Sequence, residues 1–181
     1  MKVVGIDPGL RLTGYACVEL RPGAMEPALL EAGVIRLKAQ EPVVRRLRTL
    51  HEELGALLDE LRPDRLAVEE VFAHVAHVRT AIVMGHGRGV VLLSAALRDL
   101  PLDEFAPAEV KKALTGRGQA SKAQMQRAVM HQFGLRSVPE PPDVADAIAI
   151  AACSARRHAD LRSLVPDMPA PRRGRSGKGR G

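Results

Sequence analysis

Four carboxylates occupy positions where an ordinary surface charge is unexpected. Asp7 and Glu69 each come directly after a short apolar run that is typical of a buried strand. Asp143 and Asp146 are three residues apart in a segment with helical spacing, so they share one face of that helix. Negative charges gathered in a half-buried place are costly unless cations neutralise them. The four acids therefore predict a cation site.

Hard divalent ions such as Mg²⁺ and Mn²⁺ prefer oxygen ligands of this kind. Two such ions, about 4 Å apart, can activate a water molecule and stabilise the leaving oxygen of a phosphodiester. Asp7, rooted in the central strand, is the expected bridging ligand. Two alternatives stay open at this point. Asp143 has an ordinary explanation as a charge at a helix N-terminus, and Glu70 competes with Glu69 for the second position.

The hydrophobic pattern predicts an α/β fold with a five-stranded mixed sheet flanked by helices. A strand that returns after a helix usually lies parallel to an earlier strand, and ligand sites lie at the carboxyl ends of such strands. Asp7 and Glu69 are therefore expected to meet. The predicted strands cover 2–6, 12–20, 29–37, 65–69 and 102–106, and the predicted helices cover 42–61, 80–98, 107–114, 121–133 and 143 to about 157.

Glycine is clustered early in the second predicted helix, at Gly85, Gly87 and Gly89. Glycine weakens a helix, so the cluster indicates either close packing, as against a second subunit, or a local kink.

Length and composition predict one domain of ordinary size at 1–157 and a basic, disordered tail at 158–181. Apolar residues make up 46% of the chain, which excludes a disordered protein for most of its length. The net charge is +6, but five of the 27 basic residues lie near the end, which leaves 22 against 21 acids. The tail is either a phosphate-binding arm or a solvated end. Its five bases are Arg172, Arg173, Arg175, Lys178 and Arg180.

Cysteine and hydropathy patterns favour a reducing cytoplasm. Cys17 and Cys153 form no C-x-x-C pair, and an acid at position 7 leaves no room for a signal-peptide core. The most apolar long stretch carries His86 and Arg88, so no membrane span is expected. His86, with His74 and His77, is a candidate for DNA or dimer contact, but no zinc site is expected because no cysteine accompanies these histidines.

Three motifs in order along the chain resemble the RuvC family of Holliday-junction resolvases, over residues 2 to 156. The resemblance implies a homodimer with an RNase H-like fold that cuts four-way junction DNA in recombination and repair, leaving 5′-phosphate ends. It also implies two Mg²⁺ or Mn²⁺ ions per active site and a branch-migration partner of the RuvA and RuvB type. The motifs are Gly5-Ile6-Asp7-Pro8-Gly9 with Thr13-Gly14-Tyr15, then Ala67-Val68-Glu69-Glu70-Val71-Phe72, then Asp143-Val144-Ala145-Asp146-Ala147-Ile148-Ala149-Ile150.

The resemblance also implies roles for single residues. It makes Asp7, Glu69, Asp143 and Asp146 the catalytic metal ligands, with the first acid of the Glu69-Glu70 pair as the family's glutamate. Phe72, Lys111 and Lys122 become DNA-binding residues, Arg88 belongs to the family's dimer-helix pattern, and Ala73 stands where relatives carry a second aromatic. From the residues alone, a core phenylalanine and two lysines on a solvated helix remain the alternatives.

Two other functional classes compete with a nuclease. An ATP-binding phosphotransferase of the actin and sugar-kinase kind also begins with an Asp-x-Gly turn, but it needs a second glycine turn and a longer, duplicated chain. A DNA-binding module that has lost its metals is the non-enzymatic alternative. The presence of all four acids argues against that module.

Overall fold

The computed structural model describes residues 1–70 and 78–164, and within them each predicted strand and helix is present in the predicted order. The elements are β1 (Lys2–Asp7), β2 (Leu12–Glu19), β3 (Ala28–Arg36), α1 (Val43–Leu61), β4 (Arg65–Glu69), α2 (Val78–Ala96), β5 (Leu102–Phe105), α3 (Pro107–Thr115), α4 (Lys122–Gln132) and α5 (Pro142–Leu164).

The strands form one mixed sheet in the order β3-β2-β1-β4-β5. Strands β1, β2 and β3 pair antiparallel, whereas β1 with β4 and β4 with β5 pair parallel. Ile6 lies opposite Val68, so Asp7 and Glu69 follow at the same level. The carboxyl ends of β1 and β4 therefore meet at one edge, as the sequence predicts, and the parallel β5 ends at the same edge.

Helices cover both faces of the sheet, and strand alternation assigns each residue to one face. Val4, Ile6, Leu66 and Val68 belong to a core shared with α1 and α2. Val3, Ala67 and Phe105 belong to a second core, shared with α3, α4 and α5. Asp7 and Glu69 continue the alternation of Val3 and Ala67, so both carboxylates lie on the α5 side.

Helix α5 lies unusually close to the sheet because two strand residues lack side chains. A Cβ at Gly5 would collide with the backbone of α5 and come within 2.8 Å of the Ala151 Cβ. A Cβ at Gly14 would overlap the carbonyl oxygen of Asp143. Gly14 pairs with Asp7 across β1 and β2. The first turn of α5 is therefore seated beside the end of β1.

The last helix continues past its predicted end near residue 157, so the expectation of an irregular tail from 158 is wrong for the first residues of that segment. Two contacts hold α5 to the body there. His158 Nε2 lies 3.0 Å from the Asp103 carboxylate, which also accepts hydrogen bonds from Arg65 and Ser154. The Arg157 guanidinium lies 3.9 Å above the Phe105 ring. Composition alone does not reveal these partners.

The glycines of α2 differ in their surroundings. A Cβ at Gly87 would lie 3.5 Å from a methyl carbon of Leu10, so this glycine packs against the core. Nothing lies within 4 Å of a Cβ at Gly85 or Gly89, which face outwards. In the ranges that the structure describes, no helix combines the length and apolar character needed to cross a membrane.

Candidate active site

The four predicted acids line one hollow at the carboxyl edge of the parallel strands. Asp7, Glu69, Asp143 and Asp146 all border this space of about 760 Å³, together with Lys111, Lys122 and Glu70. We call it the active-site hollow. The structure thus brings six of the seven residues predicted for the site to one place.

Asp7 is the most deeply placed of the four carboxylates. Burial, followed by the negative charges of Asp146 and Glu69, raises its pKa from an ordinary 3.8 to about 7. Desolvation and like charges both penalise the ionised form. A positive charge beside Asp7 would therefore favour its ionised form at neutral pH.

Glu69 and Glu70 differ in burial and direction. Glu69 is half-buried on the α5 side, and burial, followed by the charge of Asp146, raises its pKa to about 6. Glu70 follows the end of β4, is exposed, and donates its backbone N–H to the Phe105 carbonyl. Only Glu69 shares the electrostatic environment of Asp7, although both side chains border the hollow.

Asp143 and Asp146 reach the hollow from the first turns of α5. Their spacing of three residues puts both on the helix face that looks towards Asp7. Burial raises the pKa of Asp146, whereas the nearby Lys122 lowers it. Asp143 lies in the first turn of α5, where the helix dipole favours a negative charge.

Two lysines face the carboxylates across the hollow. Lys111 lies on α3, and Lys122 is the first residue of α4, where its Nζ is 3.7 Å from an Asp146 oxygen. Ser121 and Gln124 form the predicted capping box, with hydrogen bonds of 2.8 and 3.3 Å, which orients the start of α4. Both lysines lower the pKa of Glu69. They offset part of the negative charge, but the pKa values of Asp7 and Glu69 remain raised.

The donor set fits hard divalent cations. Five carboxylates border the hollow, and none of the described residues that line it is a histidine or a cysteine; oxygen ligands of this kind are the ones that Mg²⁺ and Mn²⁺ favour. Among the described residues, no three His, Cys, Asp or Glu side chains stand close enough together to hold an ion in their present positions. Burial and neighbouring carboxylates raise the pKa values of Asp7 and Glu69, so a cation bound in the hollow would lower the cost of ionising both.

The loop after Asp7 is held by two contacts that the sequence does not reveal. The buried Thr13 hydroxyl donates to the Gly9 carbonyl at 2.7 Å and accepts from the Gly9 N–H at 3.2 Å. Arg46 on α1 donates to the Leu10 carbonyl at 2.8 Å. These bonds fix the backbone that leaves β1, and they therefore help to position Asp7.

The other predicted residues have varied placements. Phe72, His74 and His77 lie outside the described residues. His86 is exposed on α2 and does not border the hollow. Arg88, also on α2, forms an ion pair with Glu104 on β5, so it ties this helix to the sheet.

Exposed basic residues extend from the hollow along the same edge of the sheet. We call Arg11, Arg36, Lys38 and Arg45 the basic edge. Arg11 precedes β2, Arg36 ends β3, Lys38 follows it, and Arg45 lies in the first turn of α1. A hydrogen bond of 3.0 Å from the Leu37 N–H to the Arg11 carbonyl joins these segments. The net charge of the sequence does not reveal this surface, because acidic residues in other parts of the chain balance its positive charges.

The sequence also does not indicate that one side of the hollow is apolar. Met84 of α2 borders the hollow and is 37% exposed, and Pro107 and Ala108 border it from the first turn of α3. No sequence signal distinguishes Met84 from the other apolar residues of its helix.

Comparisons with known proteins agree on one family. The family model described as crossover junction endodeoxyribonuclease RuvC matches residues 3–154. A protein of that name from Rhodopirellula baltica is 45% identical over 151 residues, which cover 83% of this chain and 84% of the relative. A second, from Moorella thermoacetica, is 43% identical over 155 residues, covering 86% and 91%.

A solved structure supports the same assignment at the level of the fold. T. thermophilus RuvC in complex with Holliday junction substrate is 35% identical, with a TM-score of 0.78, covering 87% of this chain and 96% of that one. The five-stranded mixed sheet with its flanking helices is therefore an RNase H-like fold, as predicted. On sequence and structure together, the chain belongs to the RuvC family of crossover junction endodeoxyribonucleases.

Proposed function

We propose that this chain resolves four-way (Holliday) DNA junctions by hydrolysing phosphodiester bonds with Mg²⁺ or Mn²⁺, two ions per active site, in recombination and repair. The observation that carries the proposal is the convergence of Asp7, Glu69, Asp143 and Asp146 with two lysines on one hollow. The similar T. thermophilus protein was solved with a Holliday junction, which supports the same substrate here.

The four acids are proposed to be the metal ligands and catalytic residues. When bound, the ions supply activation of the attacking water and stabilisation of charge on the leaving oxygen. The carboxylates bind the ions and keep them at the strand ends. Their raised pKa values mean that ionisation and cation binding are coupled, since a bound cation offsets the repulsion among the acids.

The lysines are proposed to bind the DNA phosphate. Lys122 is 79% exposed, and its weak contact with Asp146 leaves it able to turn towards a phosphate that enters the hollow. Lys111 is half-buried on the neighbouring helix and adds a second positive charge. Together they attract the substrate backbone and orient it above the carboxylates.

A homodimer follows from the need to cut two strands symmetrically. The outward face of α2 supports it, because Ile82, Leu93 and Leu97 are 56, 51 and 63% exposed and Gly85 and Gly89 lie between them with open space outside. Small residues allow two such helices to approach closely. Leu93→Glu should shift sedimentation from dimer to monomer, whereas Val44→Glu, at an exposed apolar residue of α1, should leave the dimer intact.

Three further features stay predictions within this proposal. Phe72 is expected to stack at the opened junction centre, since an aromatic face replaces lost base stacking. The basic tail is expected to contact phosphates. A branch-migration complex of the RuvA and RuvB type is the expected partner.

A cleavage assay tests the proposal. A synthetic four-way junction and a linear duplex of the same sequence are incubated with the full chain in Mg²⁺, Mn²⁺ or chelator. We expect paired, symmetric cuts in the junction with either metal, no cuts in chelator, and little cleavage of the duplex. Equal cleavage of both substrates, or cleavage that persists in chelator, would reject the proposal.

A further inference from the structure

The active-site hollow has an apolar side that phosphate chemistry does not use. Met84 reaches it from α2 with 37% of its surface exposed, whereas Met125, which also borders the hollow, is 4% exposed and belongs to the core. Pro107 and Ala108 border the same space from the first turn of α3, and Ala108 is exposed. These residues border the same hollow as the carboxylates, and Pro107 and Ala108 follow the end of β5.

The direction of Met84 separates it from the proposed dimer surface. Val91 lies seven residues later, two helical turns along the same face of α2, and it is fully buried in the core. Met84 therefore continues the inward face of the helix beyond the limit of the core and into the hollow. Ile82 and Gly89 lie on the opposite, outward face.

The size and chemistry of the hollow indicate which part of a DNA substrate fits its apolar side. A phosphodiester is wholly polar and is matched by the lysines and by a cation site. A space of about 760 Å³ is in the range of pockets that enclose a drug-sized ligand, so it has room for a nucleotide unit and not only for its phosphate. The part of the flanking nucleotide that suits an apolar wall is its nucleobase, whose flat face is less polar than its edges.

We propose that Met84, with Pro107 and Ala108, forms an apolar subsite for the unstacked nucleobase that flanks the phosphate to be cut. This inference rests on the proposed function. A methionine side chain suits the role, because its polarisable thioether packs against aromatic faces and adapts to different bases. Contact with the base face stabilises an unstacked nucleotide and so favours cleavage where the helix is already opened.

Base removal combined with substitution tests the subsite. Four-way junctions carrying a single abasic nucleotide at each position around the cut are compared with the intact junction, in single-turnover cleavage by the wild type and by Met84→Ala. At one position, base removal should slow the wild type by roughly three- to tenfold. Met84→Ala should cut the intact junction more slowly than the wild type by a similar factor. Base removal at that position should reduce the cleavage rate of Met84→Ala only a little further.

Matched variants exclude indirect effects. Met25→Ala alters an equally apolar methionine that is 59% exposed and does not border the hollow, so it should respond to base removal as the wild type does. Met84→Leu should retain most of the wild-type response, and Met25→Ala should leave junction affinity unchanged. The subsite is rejected if base removal costs the wild type and Met84→Ala the same factor at every position. Failure of the wild type to cut any junction rejects the proposed function instead.

Discussion

Gly14 lies directly against the backbone of Asp143, with no space between them for a side chain. A Cβ at Gly14 would overlap the Asp143 carbonyl oxygen and lie 2.6 Å from its carbonyl carbon. Gly14 is also the partner of Asp7 across the β1–β2 pair. One missing side chain thus allows the acids of a C-terminal helix to reach the acid of the first strand.

Gly14→Ala should therefore impair both folding and cleavage. The added methyl group has to displace the first turn of α5, and overpacking of this kind costs about 1–3 kcal/mol. Urea unfolding should show the loss of stability, and cleavage should fall further than stability explains because Asp143 moves away from Asp7. Glu53→Ala, at an exposed residue of α1 that does not border the hollow, is the control and should leave both stability and cleavage close to those of the wild type. Wild-type stability in Gly14→Ala would contradict the packing described for α5.

Glu69→Gln and Glu70→Gln separate two neighbouring acids. Glu69 is half-buried and shares the electrostatic environment of Asp7, whereas Glu70 is exposed beyond the strand end. Glu69→Gln should reduce single-turnover cleavage by about a hundredfold or more, and Glu70→Gln should retain most of the activity. The opposite ranking would assign the second ligand position to Glu70.

Stability of the metal-free protein should decrease as the pH rises towards neutrality. The pKa of Asp7 is raised from 3.8 to about 7, and that of Glu69 from 4.5 to about 6. Between these values the folded state binds more protons than the unfolded state, so the free energy of unfolding falls with increasing pH. Urea titrations in chelator at pH values across this window measure the effect.

Asp7→Asn removes the main titrating group and should flatten this decline. At a pH above 7 in chelator, the variant should be more stable than the wild type by on the order of 2 kcal/mol, because each pKa unit corresponds to about 1.4 kcal/mol and relaxation absorbs part of the shift. Mg²⁺ should stabilise the wild type at that pH and have a smaller effect on the variant. Asp59→Asn, at an exposed ion pair on α1, should keep the wild-type trend. Parallel pH profiles for the wild type and Asp7→Asn would show that burial does not raise the Asp7 pKa.

The basic edge should contribute to the salt dependence of DNA binding. Replacing Arg36 and Arg45 together by Gln removes two charges beside the hollow, and each phosphate contact contributes about 0.9 to the slope of log K against log salt concentration. We expect the slope to become shallower by about one to two. Arg21→Gln with Arg62→Gln is the matched control. These exposed arginines lie near the amino ends of β1 and β4, at the opposite end of these strands from the hollow. Equal slopes for both double variants would exclude a specific role of the basic edge.

Much of this fold follows from periodicity. Strand β4 begins and ends at the predicted residues, and its parallel pairing with β1 was expected because a helix precedes it. The meeting of Asp7 with Glu69 follows from that pairing alone. The acids of α5 were candidates through their helical spacing, whereas the lysines were assigned through a family resemblance.

The remaining features depend on contacts between distant segments. Strand alternation in the sequence does not show which face of β4 meets α5, so the residues alone left Glu69 and Glu70 open. The family resemblance selected Glu69, and Ala67 packs in the core that contains α5, which places Glu69 on the same side. In the sequence, the end of α5 resembles a solvated tail. The structure shows that His158 contacts Asp103 of β5, and no sequence pattern near residue 158 indicates this contact. The sequence does not distinguish Met84 from the other apolar residues of α2, because its position beside the hollow depends on how α2 packs on the sheet.

The most direct test of the central claim compares Asp7→Asn with the wild type on one four-way junction, measuring binding in chelator and cleavage in Mg²⁺. Because the substitution removes a negative charge without altering the lysines, binding should be preserved or slightly tighter, while cleavage should fall by at least about a hundredfold. Asp59→Asn should match the wild type in both measurements. Cleavage by Asp7→Asn at the wild-type rate would contradict the claim that these carboxylates hold the catalytic cations.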